Sequence, residues 1–470
     1  MSKDEIEWKE AVGKCFDRLA VNWNDKHEWI SKINNGESER LLKLIPTMIP
    51  SGSIVADVGC GTGKATKEVL KISDVKIFSV DSSEYMLKVL KENICSNNVI
   101  PVLTDAERFN SPEKLDCILL LQVLHHLYSP FTVLNHLKEN LKSGGRIIIL
   151  VPGKRHLNEI FSYSDENDVL GRYSVNKLCQ LAHTCNLLVD RVYDDDFQMT
   201  FDNMESLNNF INSTSLGYKI NNYKHPITKE NIEDNVETPC LHGNYITVVL
   251  KTNTPSEYAK RTKEAYKIWS PNYSQVVLKK ISDRGYSYDK LAELICNGLN
   301  STNENILEIG MGTGLVGQRV KQLLPKVKLT GLDVSESMIN QCPWQGCYDK
   351  ILIEDIFELP LNENYTAIYS TFMLHHMYAL YDGLQYMHEV LENEGTIKIV
   401  DLVLQNDDYT ANSLSEHCTT HEFNAGVNYY TVEELLNLLH LVGFGNLHYS
   451  KVGDTKGFTH YIFEGKKHNV

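Results

Sequence analysis

The chain has 470 residues, 42% of them hydrophobic and 23% charged. This is ordinary globular composition, which excludes a disordered chain, a coiled coil and a collagen, and the length predicts two domains. Lys and Arg number 46 against 61 Asp and Glu, a net charge of −15, which disfavours nucleic acids and acidic lipid surfaces because phosphate contacts need cationic side chains.

In chain order, Ile54–Val58 is a short β-rich apolar run, followed by a glycine loop and a helical stretch through Lys67. Ile77–Val80 reads as the next strand and Glu84–Glu92 as the next helix. Leu115–Leu121 is apolar but short for a helix, Phe131–Leu141 has helical spacing, and Arg146–Val151 is a strand of Ile and Val. Tyr245–Leu250 is strand-like and closes the first half. Alternation of buried strands with helices predicts a parallel sheet covered on both faces. Such sheets bind ligands at the carboxyl ends of their strands.

The chain then repeats itself. Val55–Gly63 recurs as Ile306–Gly314, Phe78–Ser83 as Leu329–Ser335, and Asp105–Ala106 as Asp355–Ile356. Leu124–Leu127 recurs as Leu374–Met377, and Gly144–Ile149 as Glu394–Ile399. The offset is about 250 residues at every landmark, a domain-sized duplication rather than a solenoid repeat. The polar, proline-containing stretch Lys251–Ser256 marks the seam, which predicts domains over 1–252 and 253–470.

Each glycine loop follows a strand and opens a helix. Asp57 and Glu308 lie two residues before the first glycine, and Asp81 and Asp333 end the next strand. Glycines let backbone approach a ligand closely, and a carboxylate after the second strand suits a ribose diol. Two ligand classes compete. A dinucleotide needs G-x-G-x-x-G, which Gly312–Gly317 satisfies and Gly61–Thr66 does not, because its last glycine is missing. Both halves fit acid-x-G-x-G-x-G. An acid beside the loop repels a pyrophosphate but suits a cationic ligand carrying an amino group and a sulfonium.

On these ordered motifs both halves resemble class I S-adenosylmethionine-dependent methyltransferases. The resemblance implies two tandem Rossmann-like α/β domains, each a mostly parallel seven-stranded sheet flanked by helices, with one S-adenosylmethionine per domain. It places Gly59, Gly61, Gly310 and Gly312 against the methionine part, Asp81 and Asp333 on the ribose, and Asp105 and Asp355 on the adenine. Ala106 and Ile356 follow the adenine acids, and Met86 and Met338 take the apolar adenine position. Gln122 and Thr371, at the end of the fourth strand, are further cofactor candidates. The segments Phe16–Asp25, with Trp23, and Tyr266–Tyr273 resemble the N-terminal helix that folds over the cofactor in relatives; the alternative is an aromatic helix packed on the core.

The first half most resembles trans-aconitate and malonyl-carrier carboxyl methyltransferases, with Met204–Tyr218 resembling their helical cap. The second most resembles the Williams–Beuren-region methyltransferase-like group, through Ile268–Tyr273 and Gly285–Tyr286. It departs where Asp116 of the first half is matched by Thr366.

Methyl transfer needs alignment, and a base where the nucleophile must lose a proton. The base candidates are the paired histidines after the fourth strand, His125 and His126, and His375 and His376. The alternative is that one histidine of each pair caps the turn. Tyr128, Tyr163 and Asp401 are lesser pocket candidates. No metal is expected: the 11 cysteines are scattered, Cys342 and Cys347 lack a second pair, and His417, His421 and Glu422 read as a polar loop.

The sequence thus predicts a bifunctional tandem methyltransferase that modifies N or O atoms of a small-molecule metabolite. The alternatives are one catalytic half beside a degenerate binding half and, more remotely, a dinucleotide-binding oxidoreductase. No apolar run approaches the roughly 18–20 residues that span a bilayer, and Met1–Glu7 has no apolar signal core. The expectation is a cytoplasmic monomer or weak homodimer with no nucleic-acid or membrane partner.

Overall fold

The computed structural model describes residues 12, 42–160, 171–213, 239–252, 255–275, 286–299, 304–358, 363–404, 430–455 and 458–468. The chain divides into two compact units, Met1–Asn253 and Thr254–Val470.

In the first unit the strands are β1 (Ile54–Val58), β2 (Lys76–Asp81), β3 (Val99–Leu103), β4 (Leu115–Leu121), β5 (Leu141–Pro152), β6 (Leu187–Thr200) and β7 (Cys240–Thr252). They form one sheet in the order β3-β2-β1-β4-β5-β7-β6. All pairings are parallel except those of β7, which runs antiparallel to β5 and β6. The helices are α1 (Lys64–Val69), α2 (Glu84–Asn93), α3 (Pro130–Lys138), α4 (Val175–Thr184) and α5 (Met204–Ser213). The strand order reverses between β1 and β4, so the loops after these strands share one crevice at the carboxyl edge.

The second unit repeats this plan. Its strands are β8 (Asn305–Ile309), β9 (Lys328–Leu332), β10 (Lys350–Leu352), β11 (Tyr365–Thr371), β12 (Leu391–Leu404), β13 (Phe444–Thr455) and β14 (Phe458–Lys467), in the order β10-β9-β8-β11-β12-β14-β13. Its helices are α6 (Pro255–Trp269), α7 (Tyr288–Cys296), α8 (Gly317–Leu323), α9 (Glu336–Ile339), α10 (Leu380–Val390) and α11 (Val432–Val442). The predicted fold, two mostly parallel seven-stranded sheets flanked by helices, is the observed one.

The central strands are apolar because helices cover both faces. Val55, Ile77, Cys117, Leu119, Ile148 and Val249 pack with Ile45, Ile49 and Val69 in one core of the first unit. Ile306, Leu329, Ala367, Val400 and Ile462 pack with Leu291, Ile295 and Val320 in the second. Each such aliphatic side chain contributes about 1.5–3 kcal/mol on burial. Helix starts are set by side-chain caps: Ser83 Oγ accepts from Met86 N at 3.2 Å, and Thr431 and Glu434 form a reciprocal capping box.

One predicted helix is shorter than its periodicity suggests. Ser129 and Pro130 start α3, but it stops at Lys138 and Leu141 opens β5 by pairing with Leu115. Apolar spacing cannot tell a last helical turn from the first strand residue, and the sheet pairing decides.

The departure at Thr366 has a structural answer. Asp116 Oδ2 accepts the N–H of Ile54, the first residue of β1, at 2.8 Å. In the second unit Thr366 Oγ1 accepts the N–H of Asn305, the first residue of β8, at 2.9 Å. Both lie at the amino ends of the strands, opposite the ligand edge. Thr366→Val should leave that amide unsatisfied, destabilise the second unit by about 1–2 kcal/mol, and accelerate amide hydrogen exchange at Asn305; an unchanged exchange rate would refute this role.

Candidate active sites

At the end of β1 the chain turns sharply. Gly59 and Gly310 have φ of +74° and +76°, and a Cβ there would lie 2.3 Å from Val123 Cγ2 and 2.5 Å from Met373 Cγ. A side chain at either position would collide with the second residue after the fourth strand, so only glycine lets the loop pass there. Among the described residues no heavy atom outside its chain neighbours lies within 4 Å of where a Cβ of Gly61 would stand.

The acid after the second strand ties this loop down. Asp81 Oδ2 accepts from Gly61 N and Oδ1 from Ser83 N, both at 2.8 Å. Asp333 does the same with Gly312 N at 2.7 Å and Ser335 N at 2.8 Å. Burial pushes the Asp333 carboxyl up to about 6, against the lowering effect of its two N–H donors.

Asp57 and Glu308 lie under their loops, 2% and 1% exposed. Thr66 Oγ1 donates to Asp57 at 2.6 Å, and Tyr348 OH donates to Glu308 at 2.6 Å. Thr66 and Gly317 are counterparts in the repeat. A Cβ on Gly317 would stand 2.0 Å from the Tyr348 hydroxyl and 2.4 Å from Glu308 Oε2. The last glycine of the G-x-G-x-x-G pattern therefore makes room for this buried pair. Burial raises Asp57 to about 6 and Glu308 to about 7, and in each the hydroxyl donor pulls the other way.

In the second unit one cavity gathers most of the predicted residues. Gly310, Gly312, Asp333, Met338, Asp355, Ile356, Thr371, His376 and Tyr273 all line it, as do Ala259, Thr262 and Tyr266. The last three are on α6, which forms one wall. Glu308 and His375 are not among the lining residues. His375 is 6% exposed, and its Nδ1 meets Asp401 Oδ1 at 2.5 Å. His376 Nε2 is 3.0 Å from Tyr266 OH. The sequence reading missed Tyr348, Phe357, Phe372 and Met373, of which the last three line the cavity.

In the first unit Met86 is 2% and Ala106 8% exposed. Asp105 takes the Arg108 guanidinium, its Oδ2 lying 2.8 Å from Nε. The His125 and His126 rings are 3.9 Å apart, as those of His375 and His376 are 4.2 Å apart. Gln122 has φ +60° and Phe372 +52°, and their N–H groups donate to Leu150 O and Val400 O at 2.7 and 2.8 Å. Gln122 thus corresponds to Phe372, while Thr371 corresponds to Leu121. Tyr128 is exposed on the surface, whereas its counterpart Tyr378 lines the cavity. Trp23 and its segment, Tyr163, residues 214–218 of the cap, and His417, His421 and Glu422 lie outside the described residues. Among the described residues no three metal-ligating side chains cluster, and no helix is long and apolar enough to cross a membrane.

Glu308 makes a signed prediction. Folded, it holds its proton to about pH 7; an ordinary glutamate releases it near 4.5. Between these values the folded chain binds more protons, so the contribution of Glu308 is complete below about 4.5 and lost as pH rises through about 7. Relative to Glu308→Gln, the wild-type second unit should lose on the order of 2–3 kcal/mol across that window. Denaturant titrations at a series of pH values measure it, and parallel curves for the two proteins would refute it.

Residues 56–149 and 306–395 each match a family model described as a methyltransferase domain. The malonyl-[acyl-carrier protein] O-methyltransferase of Bacillus cereus is 27% identical over 167 residues, which are 33% of this chain and 59% of that protein, so the match spans under two thirds of the relative. The tRNA U34 carboxymethyltransferase of Campylobacter fetus is 31% identical over 153 residues, 32% of this chain and 50% of that one. Among solved structures, phosphoethanolamine N-methyltransferase 2 of Haemonchus contortus, in complex with phosphomonomethylethanolamine and S-adenosylhomocysteine, is 11% identical with a TM-score of 0.37, over 92% of this chain and 99% of its own. Both family matches fall on the glycine-loop sheets described above, and the chain carries two methyltransferase domains in tandem.

Proposed function

We propose that both units bind S-adenosylmethionine, one molecule each, and transfer its methyl group to N or O atoms of small-molecule metabolites. The observation that carries this reading is the doubled carboxylate: Asp81 and Asp333 each hold the second glycine and the following helix start through the same two N–H groups. The residues fit the cofactor. Asp81 and Asp333 suit the ribose hydroxyls, the open face of Gly61 suits close approach of the methionine part, and Met338 with Ile356 suits the adenine in the second unit. When bound, the sulfonium supplies an activated methyl carbon, and the protein contributes alignment and proton removal.

Relatives named malonyl-carrier O-methyltransferases support oxygen acceptors. The net charge of −15 favours a metabolite over a tRNA. A biosynthetic, cytoplasmic role as a monomer or weak homodimer completes the reading. Because the halves differ around the pocket, two different acceptors are proposed rather than one atom methylated twice.

Calorimetric titration of the whole chain with S-adenosylhomocysteine tests it. Two sites are expected, with Asp81→Asn and Asp333→Asn each weakening one site about tenfold or more. Because Asp333 must be ionised to accept from the ribose, binding at the second site should tighten as pH rises through about 6. A stoichiometry of one would support the degenerate-partner reading, and no binding would refute both.

A further inference from the structure

The two histidines of the second unit have different surroundings. His376 lines the cavity and its Nε2 is 3.0 Å from the phenol oxygen of Tyr266. His375 is buried, and Asp401, 0% exposed, holds it at two points. Asp401 Oδ1 meets the ring Nδ1 at 2.5 Å and Oδ2 accepts the His375 N–H at 3.1 Å. Leu402 N also donates to Oδ1, at 2.7 Å. One carboxylate therefore fixes both the backbone and the ring of the residue before His376, within the 3-10 turn Leu374–His376. The residue in the Asp401 position of the first unit is Val151, an aliphatic side chain.

Resting on the methyltransferase reading above, we propose that the second unit methylates a phenolic hydroxyl, with His376 as the base and Asp401 as its positioning residue through His375. The cavity already brings a phenol oxygen to hydrogen-bond distance of Nε2, from α6. Its lining by Phe357, Phe372, Met373 and Tyr378 suits a flat, apolar acceptor. Tyr266 holds the position that the acceptor hydroxyl takes. In the transfer the acceptor O–H proton passes to His376 Nε2. The oxygen lone pair forms the new O–CH3 bond, and the S–CH3 bond breaks with its electron pair left on sulfur. The imidazolium so formed lies beside the His375–Asp401 pair, whose carboxylate favours positive charge nearby. A carboxylate acceptor would need no such base.

The test uses the full chain saturated with S-adenosylhomocysteine and 4-nitrophenol as probe, at a pH below the probe's ionisation midpoint. Binding beside a base should raise the phenolate absorption band. His376→Gln should abolish the rise. Asp401→Asn, which keeps the size and one acceptor, should reduce it roughly tenfold, a change that a purely structural role would not produce. Tyr266→Phe should strengthen it, because no hydroxyl then competes for Nε2. Calorimetry on each variant, reading the same two sites as the wild type, establishes that the second unit still binds S-adenosylhomocysteine and hence that it is folded. If the cofactor product binds the wild type but the band does not rise, or rises equally in His376→Gln or Asp401→Asn, this inference fails and the methyltransferase reading stands. A weaker band in Tyr266→Phe would make Tyr266 itself the partner of His376 and overturn it. If S-adenosylhomocysteine does not bind the wild type, both fall.

Discussion

Each half is organised around one carboxylate at the end of its second strand. A parallel strand ends with its last backbone groups facing the crevice, and a turn that leaves the sheet exposes N–H groups. Asp81 and Asp333 accept two of these, one from the glycine loop and one from the start of the next helix. The loop after the first strand and the helix after the second are thereby locked to each other. The same acid keeps further lone pairs for a ligand, so the group that orders the backbone is also the one suited to grip a ribose.

The acid below the loop answers a different need. A buried carboxylate requires a donor, and the two units meet that requirement differently. In the first, Thr66 on α1 supplies a hydroxyl from the loop's own helix. In the second, the longer Glu308 reaches Tyr348, which precedes β10, and Gly317 keeps the helix start clear of both groups. Thr66 and Gly317 are thus a matched exchange: a hydroxyl on the helix, or space for one from elsewhere. This is why a dinucleotide-like glycine pattern appears in one half only, and why it says nothing about a pyrophosphate.

The fold and the clustering of the motif residues were legible because they depend on local order: strand, glycine loop, helix, and an acid at a fixed distance. Gly310, Gly312, Asp333, Met338, Asp355 and Ile356 are read from that order and meet in one cavity. What could not be read depends on approach between distant segments. Tyr348 reaches Glu308 across 40 residues, Asp401 reaches His375 across 26, and Tyr266 reaches His376 across 110. The repeat itself held one unused signal: aligning the halves residue by residue pairs Gln122 with Phe372 and Leu121 with Thr371. The left-handed backbone shared by Gln122 and Phe372 marks the same turn in both units.

That alignment also separates two kinds of position. The glycines of the loop, the strand-two acids and the methionines that follow them read the same in both halves. Around the fourth and fifth strand ends, apart from the shared Leu-His-His turn, the halves differ. Val123 stands against Met373, Gln122 against Phe372, and Val151 against Asp401. On the proposed function, a methyl donor holds the first group to one chemistry, whereas the second group would face the nucleophile. Replacing Val151 by a buried carboxylate is costly unless that charge is partnered, and His375 with two backbone amides partners it. A duplicated domain that served one acceptor would gain nothing from that change. Divergence at this rim fits the proposal of one kind of donor site in both units and a different nucleophile in each.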